Sequence, residues 1–291
     1  MSSTAKGAGH GAPVGQKSLK WNHVCSMLEN TSKVKRKERK DMIERMFEKH
    51  RQFDPDVAAG RSNVPSAAHM YSLVRLLLPQ LDRNEQGDNV LYHMKEAGIS
   101  KIFSNALGMG GRSQEKLKNW KKPAGGEGYG HFAVVLYHQL VSSGAAHHSG
   151  MQVTVADVNE FLNAMSAASG KDGAQENLVR NFVTKASACE LKWIAKVLLR
   201  ELHASVTQEL VFSAYHPDAS DLYKVDSRLR EVVDQCRDRS KRLGEACIEV
   251  NKAFKPMLAE KTQDLDKITK NFKNKPFWIE PKVRLFFLLQ V

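Results

Sequence analysis

Cysteine is scarce and scattered in this sequence: four residues, Cys25, Cys189, Cys236 and Cys247, with no C-x-x-C pair and no adjacent Cys/His spacing. Such a set excludes a disulfide framework and a structural zinc site, and it reads as reduced thiols in an intracellular compartment. Long apolar runs are missing as well. Among the longest is Leu285-Phe286-Phe287-Leu288-Leu289, whereas a helix crossing a bilayer needs about 20 such residues, so no membrane association is expected. Residues 1–20 lack the apolar core of a secretory signal. No internal repeat is present, and neither G-x-x-x-x-G-K-S/T nor G-x-S-x-G occurs, which removes the P-loop and serine-hydrolase readings. Acidic residues are in deficit: 32 against 44 Lys and Arg, a formal charge of +12. That excess favours a polyanionic partner and says nothing about fold.

What is present supports a folded chain. Hydrophobic residues are 42% and charged residues 26% of the 291 positions, enough for a buried core and too apolar for wholesale disorder. Residues 1–20, rich in Gly, Ser, Ala and Lys, read as a disordered tail. Helical spacing starts at Trp21. Met42, Ile43, Met46, Phe47 and His50 form one stripe; Met70, Leu73, Val74, Leu77 and Leu78 form another within Ser66–Leu81, where Pro79 disturbs the last turn. Gly108–Gly130 is rich in glycine and reads as a long exposed loop around a basic patch, Lys116 to Lys122. His131–Val141 reads as a buried helix. Thr154 with Asp157 fits a capping box ahead of Val158, Phe161 and Leu162. Leu191, Ile194, Ala195, Leu198 and Leu202 step by three and four, with Lys192, Lys196 and Arg200 on another face; Thr207 opens a further helix, and Leu229, Val232, Val233 and Cys236 mark one more. Strand-like alternation is rare before Phe277-Trp278-Ile279. The expected architecture is therefore all-α over residues 21–250, followed by a β-leaning stub at 251–291.

Several short motifs admit a chemical and a plain reading. The run Lys33–Lys40 carries six bases and one acid, and a nuclear address or phosphate-contacting strip competes evenly with the solvated start of a helix. Gly128-Tyr129-Gly130-His131-Phe132-Ala133 matches G-x-G-x-x-A, but no strand pattern precedes it, so a glycine hinge before a helix is favoured. His131, His138, His147 and His148 lack the Asp, Glu or Cys that would complete a metal set. Leu199 to Thr207 joins two helices through a tight turn. A helix start exposes unpaired N–H groups that grip phosphate, Ser205 and Thr207 add hydroxyls, and Arg200 and His203 flank them; a plain helix corner is the alternative. Lys282, in Glu280-Pro281-Lys282, becomes a nucleophile only if its neighbours lower its pKa.

Taken together, these segments resemble a known family. Ala253-Phe254-Lys255-Pro256-Met257-Leu258-Ala259 followed by Phe277-Trp278-Ile279-Glu280-Pro281-Lys282 resembles the entry to the adenylation domain of ATP-dependent DNA ligases. Glu190–Leu202 and Val211-Phe212-Ser213-Ala214-Tyr215-His216-Pro217-Asp218-Ala219 are similar to their helical DNA-binding domain. Leu76–Leu81 and Gly130-His131-Phe132-Ala133 resemble the DNA ligase IV branch, and the likeness covers about residues 21–282.

The resemblance implies a nuclear protein that binds double-stranded DNA at breaks or nicks in non-homologous end joining. It also implies ATP and Mg²⁺ as family cofactors, Lys282 as the AMP-accepting lysine and Glu280 as the acid near the adenine. Lys121, Lys122, Arg200, His203, Ser205 and Thr207 are the candidate DNA-contacting residues. The family motif Lys-x-Asp-Gly reads here Lys282-Val283-Arg284-Leu285, and the chain stops at Val291, so a truncated adenylation domain without ligation activity or bound cofactor is expected. Ala204 replaces the glycine usual in the helix-joining turn, and His131 replaces an acid. The alternative function is a non-catalytic module that docks end-joining repair proteins.

Overall fold

Apolar side chains recurring at three- and four-residue steps become helices throughout the computed structural model, which describes residues 18–83, 94–122, 130–144, 153–202 and 205–244. The chain divides into two units, residues 1–255 and 256–291, and every described residue lies in the first. Its helices are α1 (Trp21–Thr31), α2 (Arg36–Arg51), α3 (Pro55–Ala58), α4 (Ala67–Leu77), α5 (Glu96–Ala106), α6 (Gly111–Lys118), α7 (Phe132–Ser142), α8 (Val155–Ala167), α9 (Ala174–Val183), α10 (Ala188–Leu198), α11 (Gln208–Tyr215), α12 (Ala219–Val225) and α13 (Leu229–Gln235). The fold is all-α. Lys20 and Thr154 pair in an isolated antiparallel bridge.

Local chemistry sets the helix ends. Ser66 caps α4 by accepting the His69 N–H, and Thr207 caps α11 by accepting that of Leu210. Thr154 with Asp157 and Ser187 with Glu190 form full capping boxes on α8 and α10. Pro79 ends α4: Leu78 before it leaves the helical region at φ −128° and ψ 55°, and Pro79–Leu81 continues as one 3₁₀ turn.

Helix α7 lies on α10, α2 on α11, α5 on α9 and α4 on α13, while α1 touches both α10 and α2. Fully buried Trp21, Phe47, Phe103, Phe212 and Tyr215 fill the space between them, each contributing about 1.5–3 kcal/mol through removal from water. Phe47 meets Tyr215 edge-on at 5.2 Å, and the Tyr215 hydroxyl donates to the Val233 carbonyl at 2.8 Å. Those two contacts tie α2, α11 and α13 into one core.

Three expectations are corrected. The glycine-rich stretch at Gly108–Gly130 contains α6, because fully buried Leu117 anchors one otherwise polar turn against α5 and α7. The packed chain begins before Trp21: Leu19 is fully buried, and its carbonyl accepts the Val155 N–H at 2.9 Å. Val141 in the last turn of α7 is 57% exposed although Gln139 and Leu140 beside it are buried, so that helix is not buried all round.

At the α2–α4 contact the rings of His50 and His69 stack 3.9 Å apart. Each ring Nε2–H donates to the other residue's carbonyl, at 2.9 Å and 2.7 Å, while Nδ1 of His50 is buried without a partner. Burial, then the adjacent His69, pushes the His50 pKa down to about 3. The unfolded chain takes up this proton near pH 6.5 and the folded chain does not. Stability is therefore whole above pH 6.5 and falls by about 1.4 kcal/mol per pH unit below it. Melting at pH 7 and pH 5 should differ by about 2 kcal/mol of stability, and His50→Gln should remove most of that difference. Equal acid slopes in the two proteins would contradict this.

Candidate nucleic-acid interface

The C-terminal end of α10 is built on an unusual residue. The Arg200 N–H donates to Val197 O at 2.9 Å and the Glu201 N–H to Lys196 O at 3.0 Å, the pair of bonds of a Schellman turn. The left-handed position of that turn normally holds glycine, and here it holds Arg200 at φ 59°, at a cost of about 1 kcal/mol or more. The guanidinium spans to the turn after α4: Nε donates to Pro79 O at 2.8 Å, and one terminal nitrogen donates to Gln80 O at 2.6 Å and Asp82 O at 2.9 Å.

Asp82 is the node of this region. Its buried carboxylate accepts from Arg75 Nε at 3.0 Å and a terminal Arg75 nitrogen at 2.8 Å, and from the Tyr71 hydroxyl. Arg75, with 6% of its side chain exposed, also donates to Asn159 and Asn163 of α8 at 3.3 and 2.9 Å. Burial and the neighbouring carboxylate push the Tyr71 hydroxyl pKa well up, and Arg230 of α13 lies 4.2 Å over the Tyr71 ring.

The cations of α10 face inward. Lys192 pairs with Glu29 of α1 and lies 5.1 Å over the Tyr137 ring; Lys196 lies 4.3 Å over Trp193, whose indole N–H donates to Glu29 at 2.7 Å. Burial followed by the adjacent Lys192 lowers the Lys196 pKa. Partial burial raises the Glu29 pKa, but the hydrogen bonds and charges of Lys192, Trp193 and Lys196 together outweigh it and hold the carboxyl below the usual carboxylate range.

By contrast, Lys121 and Lys122, just beyond α6, are both exposed, with the Lys121 ammonium 5.5 Å over Trp120. Trp120 lines an open cleft of about 350 Å³ with His131, Phe132, Lys196, Leu199 and Glu201. The basic segment after α6 and the end of α10 thus meet at one cleft. On the α11 side of the turn Ser205 is half-buried and Thr207 exposed, with the Thr207 hydroxyl occupied as a cap acceptor at 3.3 Å. Glu209, in the first turn of α11, pairs with Arg36 at 3.7 Å.

The sequence groups Arg200, Ser205 and Thr207 along the chain; the cleft is lined by Trp120, which precedes Lys121 and Lys122, and by Leu199 and Glu201, which flank Arg200, while the five candidate residues themselves are not among its lining. His203, Glu280 and Lys282 lie outside the described residues. Lys33, Lys35, Arg36 and Lys37 form an exposed helix start with no side-chain cap. Among the described residues no group of three or more His, Cys, Asp or Glu is placed to hold a metal ion, and no helix is long and apolar enough to cross a membrane. Sequence reasoning missed Asp82 and Glu29; the available signals were the Tyr71–Arg75 spacing of one helical turn and the placement of Asp82 just past Pro79.

Comparison with known proteins agrees with this architecture. Residues 18–216 match the family described as DNA ligase N terminus, and the chain belongs to that family. A DNA ligase 4 of Gallus gallus is 32% identical over 267 residues, 89% of this chain and 28% of the relative. The DNA ligase 4 of Homo sapiens is 31% identical over the same coverage, and that of Coprinopsis cinerea 33% identical over 220 residues, 74% of this chain and 21% of the relative. This is a DNA ligase IV-like N-terminal region, and the chain spans about a quarter of the length of the curated relatives it matches.

Removing the Asp82 carboxylate leaves a buried guanidinium without its counter-charge. Asp82→Ala should cost about 3–5 kcal/mol in urea unfolding, and Asp82→Asn, which retains an acceptor for Tyr71, should cost less. A loss below about 1 kcal/mol in Asp82→Ala, the scale of a surface ion pair, would contradict the role given to this node.

Proposed function

We propose that this chain is the duplex-DNA-binding N-terminal part of an ATP-dependent end-joining ligase, acting in the nucleus at breaks or nicks. The observation that carries the reading is the family match over residues 18–216; a formal charge of +12 is consistent with it, since a cationic protein binding a polyanion gains by releasing condensed counterions. Lys121 and Lys122 contact phosphates as point charges. Ser205, Thr207 and the turn that includes His203 approach the backbone through hydroxyls and main-chain N–H groups. Such contacts position the duplex without reading its sequence.

The joining chemistry of the family, with ATP and Mg²⁺, falls on Glu280 and Lys282, outside the described residues. Arg284 stands where the family motif has Asp and Leu285 where it has Gly. An arginine there supplies no acceptor for a ribose or a metal-bound water. A lysine with no neighbours that depress its pKa stays protonated near its ordinary value of about 10.4, and a protonated amine does not attack the α-phosphate. Lysyl adenylation is accordingly lost in this proposal.

Two measurements test the two halves. In fluorescence anisotropy with a nicked duplex, affinity should fall about 10³-fold between 50 and 200 mM salt, and neutralising Lys121 and Lys122 together should reduce the salt slope by about two. Binding that is absent, or flat with salt, overturns the DNA reading. Incubated with labelled ATP and Mg²⁺, the chain should leave no AMP on Lys282; a labelled Lys282 peptide overturns the loss of chemistry.

A further inference from the structure

Arg200 was singled out in the sequence as a flank of the phosphate-contacting turn, yet its guanidinium is bound to the protein's own backbone. At least three of its N–H donors are directed at the carbonyls of Pro79, Gln80 and Asp82, at 2.8, 2.6 and 2.9 Å. It holds a left-handed conformation, φ 59°, at a Schellman position where glycine carries no penalty. Strain of this kind persists only where the surroundings over-determine it. The planar fork of arginine presents donors from separate nitrogens in a fixed geometry, as the bonds from Nε and a terminal nitrogen require here. The same helix end takes a second tie, because the Met94 N–H donates to Leu198 O at 3.3 Å. Asp82 and Met94, which bracket residues 83–93 in the chain, are thus both fastened to the C-terminal end of α10.

We infer that Arg200 is a positioning residue for DNA binding: its guanidinium braces the Pro79–Asp82 turn against the end of α10, so that the α10–α11 turn carrying Ser205 and Thr207 leaves from a fixed base. This role rests on the DNA-binding reading above. It differs from a direct phosphate contact in a measurable way. A contact residue contributes its own charge to the salt slope and adds independently to its neighbours. A brace acts through the groups it holds, so its loss and theirs are not additive.

The test uses the full chain with Arg200→Ala, Arg200→Lys and Arg200→Gly, alone and combined with Ser205→Ala. Anisotropy on a nicked duplex and amide hydrogen exchange are read together. Glycine relieves the left-handed strain while removing the brace, so Arg200→Gly should keep its melting temperature close to that of Arg200→Lys and report on the brace alone. All three variants should bind about tenfold more weakly, with lysine failing to rescue, because one ammonium does not reproduce the spacing of Nε and the terminal nitrogen of the guanidinium. Exchange should accelerate at the amides of Leu81 and Asp82, which donate to Leu78 O and Pro79 O. Adding Ser205→Ala should then cost little more.

If the unaltered chain binds duplex and Arg200→Ala binds equally well, the inference falls and the DNA reading stands. Weaker binding with a salt slope shallower by about one, unchanged exchange at Leu81 and Asp82, and full additivity with Ser205→Ala would make Arg200 a phosphate contact, and would also overturn the inference. If the unaltered chain does not bind duplex at any salt concentration, the DNA reading fails and the positioning role fails with it.

Discussion

One buried residue ties together the helices around the end of α10. Asp82 offers its carboxylate to Arg75 and Tyr71 and its main-chain carbonyl to Arg200. Through those partners it joins α4 to α8, the end of α10 and, by way of Arg230 over the Tyr71 ring, α13. A charge so deeply placed is tolerable only when compensated, and here Arg75 and Tyr71 of α4 compensate it while Arg75 reaches on to α8. The node is therefore a geometric specification as much as a source of stability. The Asp82 main-chain carbonyl also takes the Arg200 guanidinium just past the end of α10.

The positive charge of the chain is divided between two uses. Lys192 and Lys196 are absorbed by Glu29, Trp193 and Tyr137, where their stems pack and their ammonium groups sit over aromatic faces. Arg75 and Arg200 are absorbed by carboxylate and carbonyl oxygens. Lys121, Lys122 and the exposed bases at the start of α2 remain toward solvent. A formal charge of +12 thus overstates the number of cations on offer to a polyanion, and burial separates those that hold the fold from those that can meet a ligand. Membership of the DNA ligase N-terminal family gives that separation its meaning.

Much of this was legible in the sequence, and the failures share a cause. Thr154 with Asp157, the Leu191–Ile194–Leu198 stripe, the break at Pro79 and the cap at Thr207 are local signals, set by spacing and by hydrogen bonds within one turn. They appear in the structure where the residues place them. Helix α6 escaped notice because a single buried residue, Leu117, anchors it, too little apolar periodicity to register between glycines. Spacing puts Lys192, Lys196 and Arg200 on one face, but periodicity identifies which residues share a side of a helix and not what that side meets. Glu29 and Asp82, more than a hundred residues from Lys192 and Arg200 in the chain, supply the answer only in three dimensions. Glu280 and Lys282 lie outside the described residues, so their reading rests on the resemblance.

The most direct measurement of the central claim is a titration of the isotopically labelled chain with a nicked duplex, followed amide by amide in nuclear magnetic resonance spectra. If the Asp82 node presents the α10–α11 turn and the segment after α6 as one surface, shift changes will concentrate at Lys121, Lys122, Ser205 and Thr207, with Glu29, Lys192 and Trp193 unmoved. Changes centred on Lys33–Lys40 or on the Glu29 cluster, with the α10–α11 turn silent, would contradict it.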